Sequence, residues 1–247
     1  MPDTEKRTMG LSAAGDPPAA EILYSDRSLA VAVKRSGVLS EAGDGREDSM
    51  PRRIAAALLR SAEEVYPVHR LDREAQGVMV YALTKAAAAA LSRSVQNGAF
   101  EKTYLCLCQG APGEKTGRWE DLLYHDRARN KTYTVRRMRG GVKRAALEYE
   151  TLSTFRTEEG TELSLLRVRL LTGRTHQIRV QCAARGMPLA GDRKYGSALS
   201  GPLALWCFSL AFPHPESGEK RVFSLPPDGG KLAEAYLNKG EINKRKD

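Results

Sequence analysis

Residues 68–77 read Val68-His69-Arg70-Leu71-Asp72-Arg73-Glu74-Ala75-Gln76-Gly77, and Val78-Met79-Val80-Tyr81 follow directly. In this stretch Asp72 lies between two arginines, just before a glycine and an apolar run typical of a strand. Positive charge nearby favours the ionised form of a carboxyl group. An ionised carboxylate at the edge of a sheet can act as a nucleophile or as a base. The alternative is an ion pair in a surface loop, which most aspartates beside arginines form at little gain in stability.

Length and charge limit what the rest of the chain can be. The chain has 247 residues, enough for one large or two small domains with a sizeable core. Lys and Arg total 39 against 30 for Asp and Glu, which gives a net charge of +9. This excess favours a polyanionic partner such as nucleic acid. Aromatic residues make up only 6%, so we do not expect base stacking along an aromatic platform as the main binding mode.

The cysteines and the apolar runs indicate where the protein acts. Its four cysteines (Cys106, Cys108, Cys182 and Cys207) show no Cys-x-x-Cys spacing and have no adjoining histidines. They are therefore expected to be buried thiols in a reducing compartment, and no metal site is expected. The first twenty residues lack the apolar core of a signal peptide. No apolar run reaches the roughly 18 residues of a membrane span. Together these features predict a cytoplasmic protein.

Hydrophobic periodicity predicts one domain that is rich in strands. Residues 1–19 are expected to be a disordered leader, residues 20–238 a single domain and residues 239–247 a charged tail. Strand patterns cover residues 22–24, 29–33, 78–83, 102–108, 147–151, 166–170, 208–212 and 222–225. Helix patterns cover residues 51–64, 85–95 and 175–185. Because strands outnumber helices and rarely alternate with them, we predict an α+β fold with a mixed, mainly antiparallel sheet.

Two segments resemble the signatures of the RluA-type pseudouridine synthases. The first is His69-Arg70-Leu71-Asp72-Arg73 with Gly77, and the second is Leu171-Thr172-Gly173-Arg174-Thr175-His176-Gln177-Ile178-Arg179-Val180. Pro188-Leu189-Ala190-Gly191-Asp192 and Tyr195-Gly196 follow at the spacing of that family. The similarity extends from about residue 22 to about residue 226. Ala75 and Gln76 stand where the family usually has Thr and Ser, and Trp206-Cys207 where many members have His-Ala.

The resemblance implies a fold and a reaction. The fold is the pseudouridine synthase catalytic domain, a mixed and largely antiparallel sheet with flanking helices and a central RNA-binding cleft. We expect no separate N-terminal S4-like RNA-binding domain, because only about twenty residues precede the similarity. The implied reaction isomerises uridines of ribosomal or transfer RNA to pseudouridine. It requires no cofactor and no metal, and the enzyme is expected to be a monomer without membrane contact.

The resemblance also assigns roles to individual residues. Asp72 is the catalytic carboxylate, Tyr104 the tyrosine of the uracil pocket, and Arg179 the arginine that pairs with the aspartate. Three further residues of the signatures are expected to contact RNA: His69, Arg70 and Arg174. Of these, Arg174 suits a phosphate, and Arg70 can take the place of the flipped-out base.

Residues 127–144 form a second candidate RNA-binding segment. They carry eight basic residues and no acidic one: Arg127, Arg129, Lys131, Arg136, Arg137, Arg139, Lys143 and Arg144. A charge run is usually a solvated face. In a chain of net charge +9, a run without compensating acids favours contact with an RNA backbone.

Two other classes of function are compatible with parts of this pattern. One is a non-catalytic RNA-binding or ribosome-assembly factor on the same fold, but pure binding does not need the combination of Asp72, Tyr104 and Arg179. The other is a hydrolase with Asp72 as general base. Neither signature contains the second acid or the metal ligands that such a hydrolase would use.

Overall fold

The computed structural model describes residues 18–42, 48–157 and 160–225, and within them one sheet is flanked by three α-helices. The strands are β1 Glu21–Ser25, β2 Leu29–Lys34, β3 Tyr66–Pro67, β4 Gln76–Ala82, β5 Glu101–Gln109, β6 Thr116–Asp126, β7 Lys131–Val135, β8 Val142–Arg156, β9 Glu162–Leu170, β10 Leu205–Pro213 and β11 Lys220–Ser224. The helices are α1 Met50–Leu58, α2 Lys85–Gln96 and α3 Gln177–Ala183. The predicted leader and charged tail lie outside the described residues.

The sheet has the order β1-β2-β4-β10-β5-β9-β8-β6-β7, with β3 paired to β4 and β11 to β10. Strands β4 and β10 run parallel, and the other named pairs are antiparallel. The predicted α+β fold with a mixed, mainly antiparallel sheet is therefore confirmed. Its centre is apolar, since every residue of β2 is buried and β4 is buried from Gly77 onward.

The parallel contact between β4 and β10 explains the glycine that ends the first signature. Gly77 pairs with Cys207 and has a φ of 124°. A Cβ atom at this position would lie 2.3 Å from the carbonyl oxygen of Cys207. Only glycine allows two backbones to approach so closely, so Gly77 fixes the start of β4 against the centre of the sheet.

Helices α1 and α3 are shorter than their sequence patterns predicted, whereas α2 matches its predicted range to within one residue. Helix α1 has Pro51 in its first turn as expected, but it ends at Leu58 because Leu59 adopts a left-handed conformation with a φ of 53°. The predicted continuation is a separate 3₁₀ turn, Ala62–Glu64. Helix α3 begins after His176 rather than at a Thr175 cap, and it ends at Ala183. Within the described ranges, no helix has the length and apolar character needed to cross a membrane.

Strands β6 and β7 fall in a stretch for which the sequence patterns gave no strand. Strand β6 pairs with β8 on one side and with β7 on the other. The basic segment 127–144 therefore consists of the β6–β7 turn, β7, the β7–β8 turn and the start of β8. An antiparallel framework holds its charged side chains.

Candidate active site

The loop that carries Asp72 connects β3 to β4, and a serine holds its backbone just before the aspartate by hydrogen bonds. The Ser40 hydroxyl donates to the carbonyl of Leu71 at 2.7 Å and accepts from the Leu71 amide at 3.0 Å. Tyr81 in turn donates its hydroxyl to the carbonyl of Ser40 at 2.9 Å. Ser40 and Tyr81 are buried, so these bonds fix the backbone next to Asp72 firmly.

A buried lysine holds the backbone of the same loop just after the aspartate by hydrogen bonds. The Nζ atom of Lys34 donates to the carbonyls of Ala75 at 2.7 Å and Arg73 at 2.9 Å, and also to Arg35 at 3.2 Å. Burial lowers the pKa of Lys34 to about 8, although the negative charges near it oppose this shift. The three carbonyls provide the hydrogen bonds that an ammonium group needs away from water.

Asp72 contacts the arginine that the second signature predicted. The Nη1 atom of Arg179 lies 3.1 Å from Oδ2 of Asp72 and 3.3 Å from Oε2 of Glu74. The other side of the guanidinium binds Asp192 in bidentate fashion, from Nε at 2.7 Å and from Nη2 at 2.8 Å. Burial alone would lower the pKa of Arg179, but the bonds to Asp192 and the charge of Asp72 raise it above its ordinary value.

The geometry of Arg179 orients the Asp72 carboxylate. Its side chain is 3% exposed and that of Asp192 is fully buried, whereas Asp72 keeps 19% of its side chain exposed. The bidentate pair with Asp192 therefore fixes the guanidinium plane and directs Nη1 at Asp72. Asp72 is held by Arg179 and keeps part of its side chain exposed.

Tyr104, the predicted pocket tyrosine, lies on β5 between Cys207 of β10 and Val168 of β9. Its side chain is buried, with 4% exposure. Burial raises the pKa of Tyr104 well above its usual range, and Cys207 and Asp72 add to this effect. The phenol is consequently neutral near pH 7. So little of the ring is exposed that a base can stack on it only if neighbouring side chains move.

His176 is a further polar side chain beside Asp72. Its Nε2 atom lies 4.0 Å from Oδ2 of Asp72, and its Nδ1 atom lies 2.9 Å from the hydroxyl of Tyr195. That hydroxyl accepts from the backbone amide of Thr132 at 2.8 Å. Hydrogen bonds thereby connect strand β7, through Tyr195, to the histidine beside Asp72.

The prediction that His69 contacts RNA is wrong for this structure. The ring is buried, its Nε2 atom accepts from the amide of Val80 at 3.3 Å, and it packs against Phe100. Burial lowers the pKa of His69 to about 3. A neutral ring inside the core supports the start of the loop that carries Asp72 but is not available to a phosphate.

This burial predicts a pH dependence of stability. An unfolded histidine takes up a proton below about pH 6.5, whereas His69 in the folded chain does so only near pH 3. Between these values the unfolded state binds more protons, so the free energy of unfolding falls as the pH falls. His69→Gln keeps an acceptor but cannot titrate. Denaturant unfolding from pH 7 to 4 should show the wild type losing stability relative to the variant, by about 1.4 kcal/mol per pH unit below about pH 6.5. If the free energy of unfolding fell equally with pH in the wild type and in the variant, the burial of a neutral His69 ring would be contradicted.

Of the other two predicted signature arginines, Arg70 is exposed and Arg174 is half-buried. Arg70 forms an ion pair with Glu41 at 3.3 Å and keeps 72% of its side chain exposed. Arg174 donates from Nε to the carbonyl of Arg144 at 2.9 Å. Arg174 is thereby joined to the basic segment, and both arginines remain open to a large ligand.

The basic segment presents what we call the basic hairpin surface, the exposed Lys and Arg side chains of residues 127–144. Six of its members have no ion-pair partner within the described part of the chain: Arg127, Arg136, Arg137, Arg139, Lys143 and Arg144. Arg129 pairs with Asp126 at 3.9 Å, and Arg139 lies over the Tyr124 ring at 5.3 Å. Elsewhere on this sheet, Arg167 pairs with Glu150 and Arg169 with Glu148. The basic hairpin surface is therefore a cluster of largely uncompensated positive charge.

A family model described as RNA pseudouridylate synthase matches residues 28–184. The chain belongs to this family. The dual-specificity RNA pseudouridine synthase RluA of Salmonella typhimurium is 34% identical over 213 residues, 84% of this chain and 93% of its own. An uncharacterized RNA pseudouridine synthase of Aquifex aeolicus is 32% identical over 224 residues, 83% of this chain and 68% of its own. The predicted RluA-type family is therefore confirmed, and the enzyme is an isomerase that converts uridine in RNA to pseudouridine.

A solved structure agrees with the fold of the enzyme. Human RNA Pseudouridylate Synthase Domain Containing 1 superposes with a TM-score of 0.70 at 23% identity, covering 87% of this chain and 86% of that one. Within the described ranges, no group of three or more His, Cys, Asp and Glu side chains is arranged to hold a metal ion.

The structure brings Asp72 and Arg179 of the pseudouridine synthase into contact and places Tyr104 near enough for the charge of Asp72 to raise its pKa, although the three come from distant parts of the chain. Four neighbours of this group had no role predicted from the sequence: Glu74, His176, Asp192 and Tyr195. All four lie within the quoted signatures or directly beside Asp72. Their position in those motifs could have marked them as candidates, but a motif does not show which side chains contact each other.

Proposed function

We propose that Asp72 is the catalytic carboxylate and that Arg179 orients it. The observation that carries this proposal is the 3.1 Å contact between Nη1 of Arg179 and Oδ2 of Asp72, with Tyr104 close enough for the charge of Asp72 to raise the pKa of its phenol. Arg179 supplies a compensating positive charge, and part of the Asp72 side chain stays exposed.

The reaction places defined demands on these residues. The bond between ribose C1′ and uracil N1 must break, the base must rotate without escaping, and C1′ must then join to C5. Asp72 either attacks C1′ as a nucleophile or removes a ribose proton as a base, and both roles require the ionised form. Tyr104, as a neutral phenol, forms the wall of the uracil pocket and donates or relays a proton there.

We further propose that ribosomal or transfer RNA is the substrate and that the basic hairpin surface binds its backbone. The target uridine must leave its stack to reach Asp72, which costs least in a loop. Arg70 and Arg174 are proposed to hold the RNA at the mouth of the cleft. Residues 20–238 would act as one catalytic domain, as a monomer in the cytoplasm, where the four buried free cysteines suit reducing conditions.

The function is tested by mapping pseudouridines in total RNA from a strain that lacks the gene. We expect one or a few uridines of ribosomal or transfer RNA to lose the modification and to regain it when the wild-type chain is supplied. A chain with Asp72→Asn should not restore it. Restoration by that variant would contradict the proposed role of Asp72.

The RNA-binding surface is tested by removing two of its unpaired charges. Arg136→Ala with Arg137→Ala should weaken binding and reduce the slope of log K against log salt by about 1 to 2, because fewer counterions are released. The control is Arg118→Ala with Arg167→Ala, which removes the same charge from residues that are paired with Glu120 and Glu150. Equal slopes for the two double variants would show that the basic hairpin surface is only a solvated face.

A further inference from the structure

A line of polar contacts leads from the basic hairpin to the proposed catalytic carboxylate. The backbone amide of Thr132 donates to the Tyr195 hydroxyl at 2.8 Å. The same hydroxyl lies 2.9 Å from Nδ1 of His176, whose Nε2 atom lies 4.0 Å from Oδ2 of Asp72. Thr132 and His176 are buried, so water does not compete freely for these contacts.

The contacts of Tyr195 favour one tautomer of His176. The Tyr195 oxygen accepts from the Thr132 amide, and the Tyr195 hydrogen can be donated to Nδ1 of His176, 2.9 Å away. A neutral imidazole that accepts at Nδ1 carries its hydrogen on Nε2. Burial lowers the pKa of His176, against the opposing charge of Asp72, and Arg179 and Lys194 lower it further. The ring is therefore neutral near pH 7, with an N–H donor facing Asp72.

The backbone of His176 is held in an uncommon conformation. Its φ of 53° and ψ of 27° lie in the left-handed region, which costs a residue other than glycine about 1–2 kcal/mol. The conformation is fixed from outside, since the Thr132 hydroxyl donates to the carbonyl of Thr175 at 2.8 Å. The surrounding structure thus imposes this orientation on the ring, which is typical of functional sites.

The two donors near Asp72, Arg179 and His176, face the same carboxylate oxygen, Oδ2. Arg179 lies 3.1 Å from Oδ2, and the nearer nitrogen of His176 lies 4.0 Å from that atom. For Oδ1, no hydrogen bond is found within the described ranges. Active-site hydrogen bonds are often long before substrate binds and shorten in the complex. A shortening of this 4.0 Å distance would let Nε2 donate to Oδ2 and leave Oδ1 for the ribose.

We propose that His176 is a positioning residue for Asp72, and that Tyr195 gives it the Nε2–H tautomer that this role requires. Arg179 and His176 hold Oδ2 from two directions, so that Oδ1 points at the sugar. The inference rests on the proposed function of Asp72. It adds that strand β7, which carries part of the basic hairpin surface, also helps to align the catalytic group through Thr132.

The first test is spectroscopic and needs no substrate. Long-range ¹H–¹⁵N correlation spectra of the full chain at pH 7 should show His176 as a neutral ring with hydrogen on Nε2. Its signals are those that disappear in His176→Asn. Tyr195→Phe keeps the ring over Arg179 but removes the donor, and should give a mixture of tautomers. A wild-type His176 that is charged, or that carries hydrogen on Nδ1, would overturn the proposal.

The second test is the rate of single-turnover isomerisation with saturating enzyme. His176→Asn tolerates the left-handed backbone but cannot reach Asp72, so the rate should fall by about 10- to 100-fold with little change in RNA affinity. His176→Gln can place an amide N–H near the position of Nε2 and should recover part of the rate. A merely structural role predicts the opposite order, because glutamine fits the left-handed backbone less well than asparagine.

A control variant tests whether the effects are specific to the site, and an inactive wild-type chain would separate this inference from the proposed function. Tyr24→Phe removes a tyrosine hydroxyl that is bonded to Asp26 at 2.8 Å, remote from the site, and should change neither the tautomer nor the rate. An unchanged rate in His176→Asn would overturn the proposal. If instead the wild-type chain isomerises no RNA, the proposed function fails, and the tautomer measurement still decides the inference about Tyr195 and His176.

Discussion

Asp72→Asn is expected to abolish isomerisation, with the single-turnover rate falling by about 10⁴-fold or more, as for loss of other essential catalytic groups. The substitution preserves size but removes the charge that either attack on the sugar or proton removal requires. It also leaves the loop intact, because Ser40 and Lys34 hold that loop through its backbone carbonyls. Folding and RNA affinity should therefore stay close to those of the wild type.

The neighbouring carboxylate provides a matched control for this experiment. Glu74 contacts the same Nη1 atom of Arg179 at 3.3 Å, but 52% of its side chain is exposed. Glu74→Gln should lower the rate by less than about tenfold, because an exposed ion pair contributes little. Substantial turnover by a pure Asp72→Asn preparation, or equal losses in the two variants, would contradict the assignment of Asp72.

The sequence was sufficient for the fold class and for the pair at the centre of the site. Asp72 and Arg179 are separated by 107 positions, so no local pattern relates them, and the prediction came from the two signatures. The central strands were also predicted, because burial on both faces gives β2 and β4 continuous apolar runs. These are the features that local sequence determines strongly.

The remaining features depend on tertiary contacts that no local pattern reports. Asp192 was visible in its motif, but its bidentate pairing with Arg179 exists only after α3 packs beside it. His69 stands next to exposed arginines in the sequence, yet its ring points into the core. Strand β6 was missed because its side chains are mostly half-buried and polar, and its strand conformation comes from pairing with β8.

Arg179→Met is expected to have a large effect on stability as well as on activity. The substitution removes the cation that binds Asp192, whose side chain is fully buried, and leaves that carboxylate without compensation. Breaking a buried pair in this way costs about 3–5 kcal/mol in the free energy of unfolding. Isomerisation should be lost in any fraction that remains folded, because Asp72 loses the donor that orients it. Denaturant unfolding and single-turnover assays measure the two losses.

A double variant separates the loss of packing from the cost of the unpaired carboxylate. Arg179→Met with Asp192→Asn should be destabilised by less than the sum of the single variants, since the buried charge is removed together with its partner. Arg35→Met is the control, because Arg35 pairs with Glu21 at the surface, with about half of each side chain exposed, and should lose less than about 1 kcal/mol. If Arg179→Met proves as stable as Arg35→Met, then Asp192 does not depend on Arg179. The fixed guanidinium that directs Nη1 at Asp72 would have to be explained by other contacts.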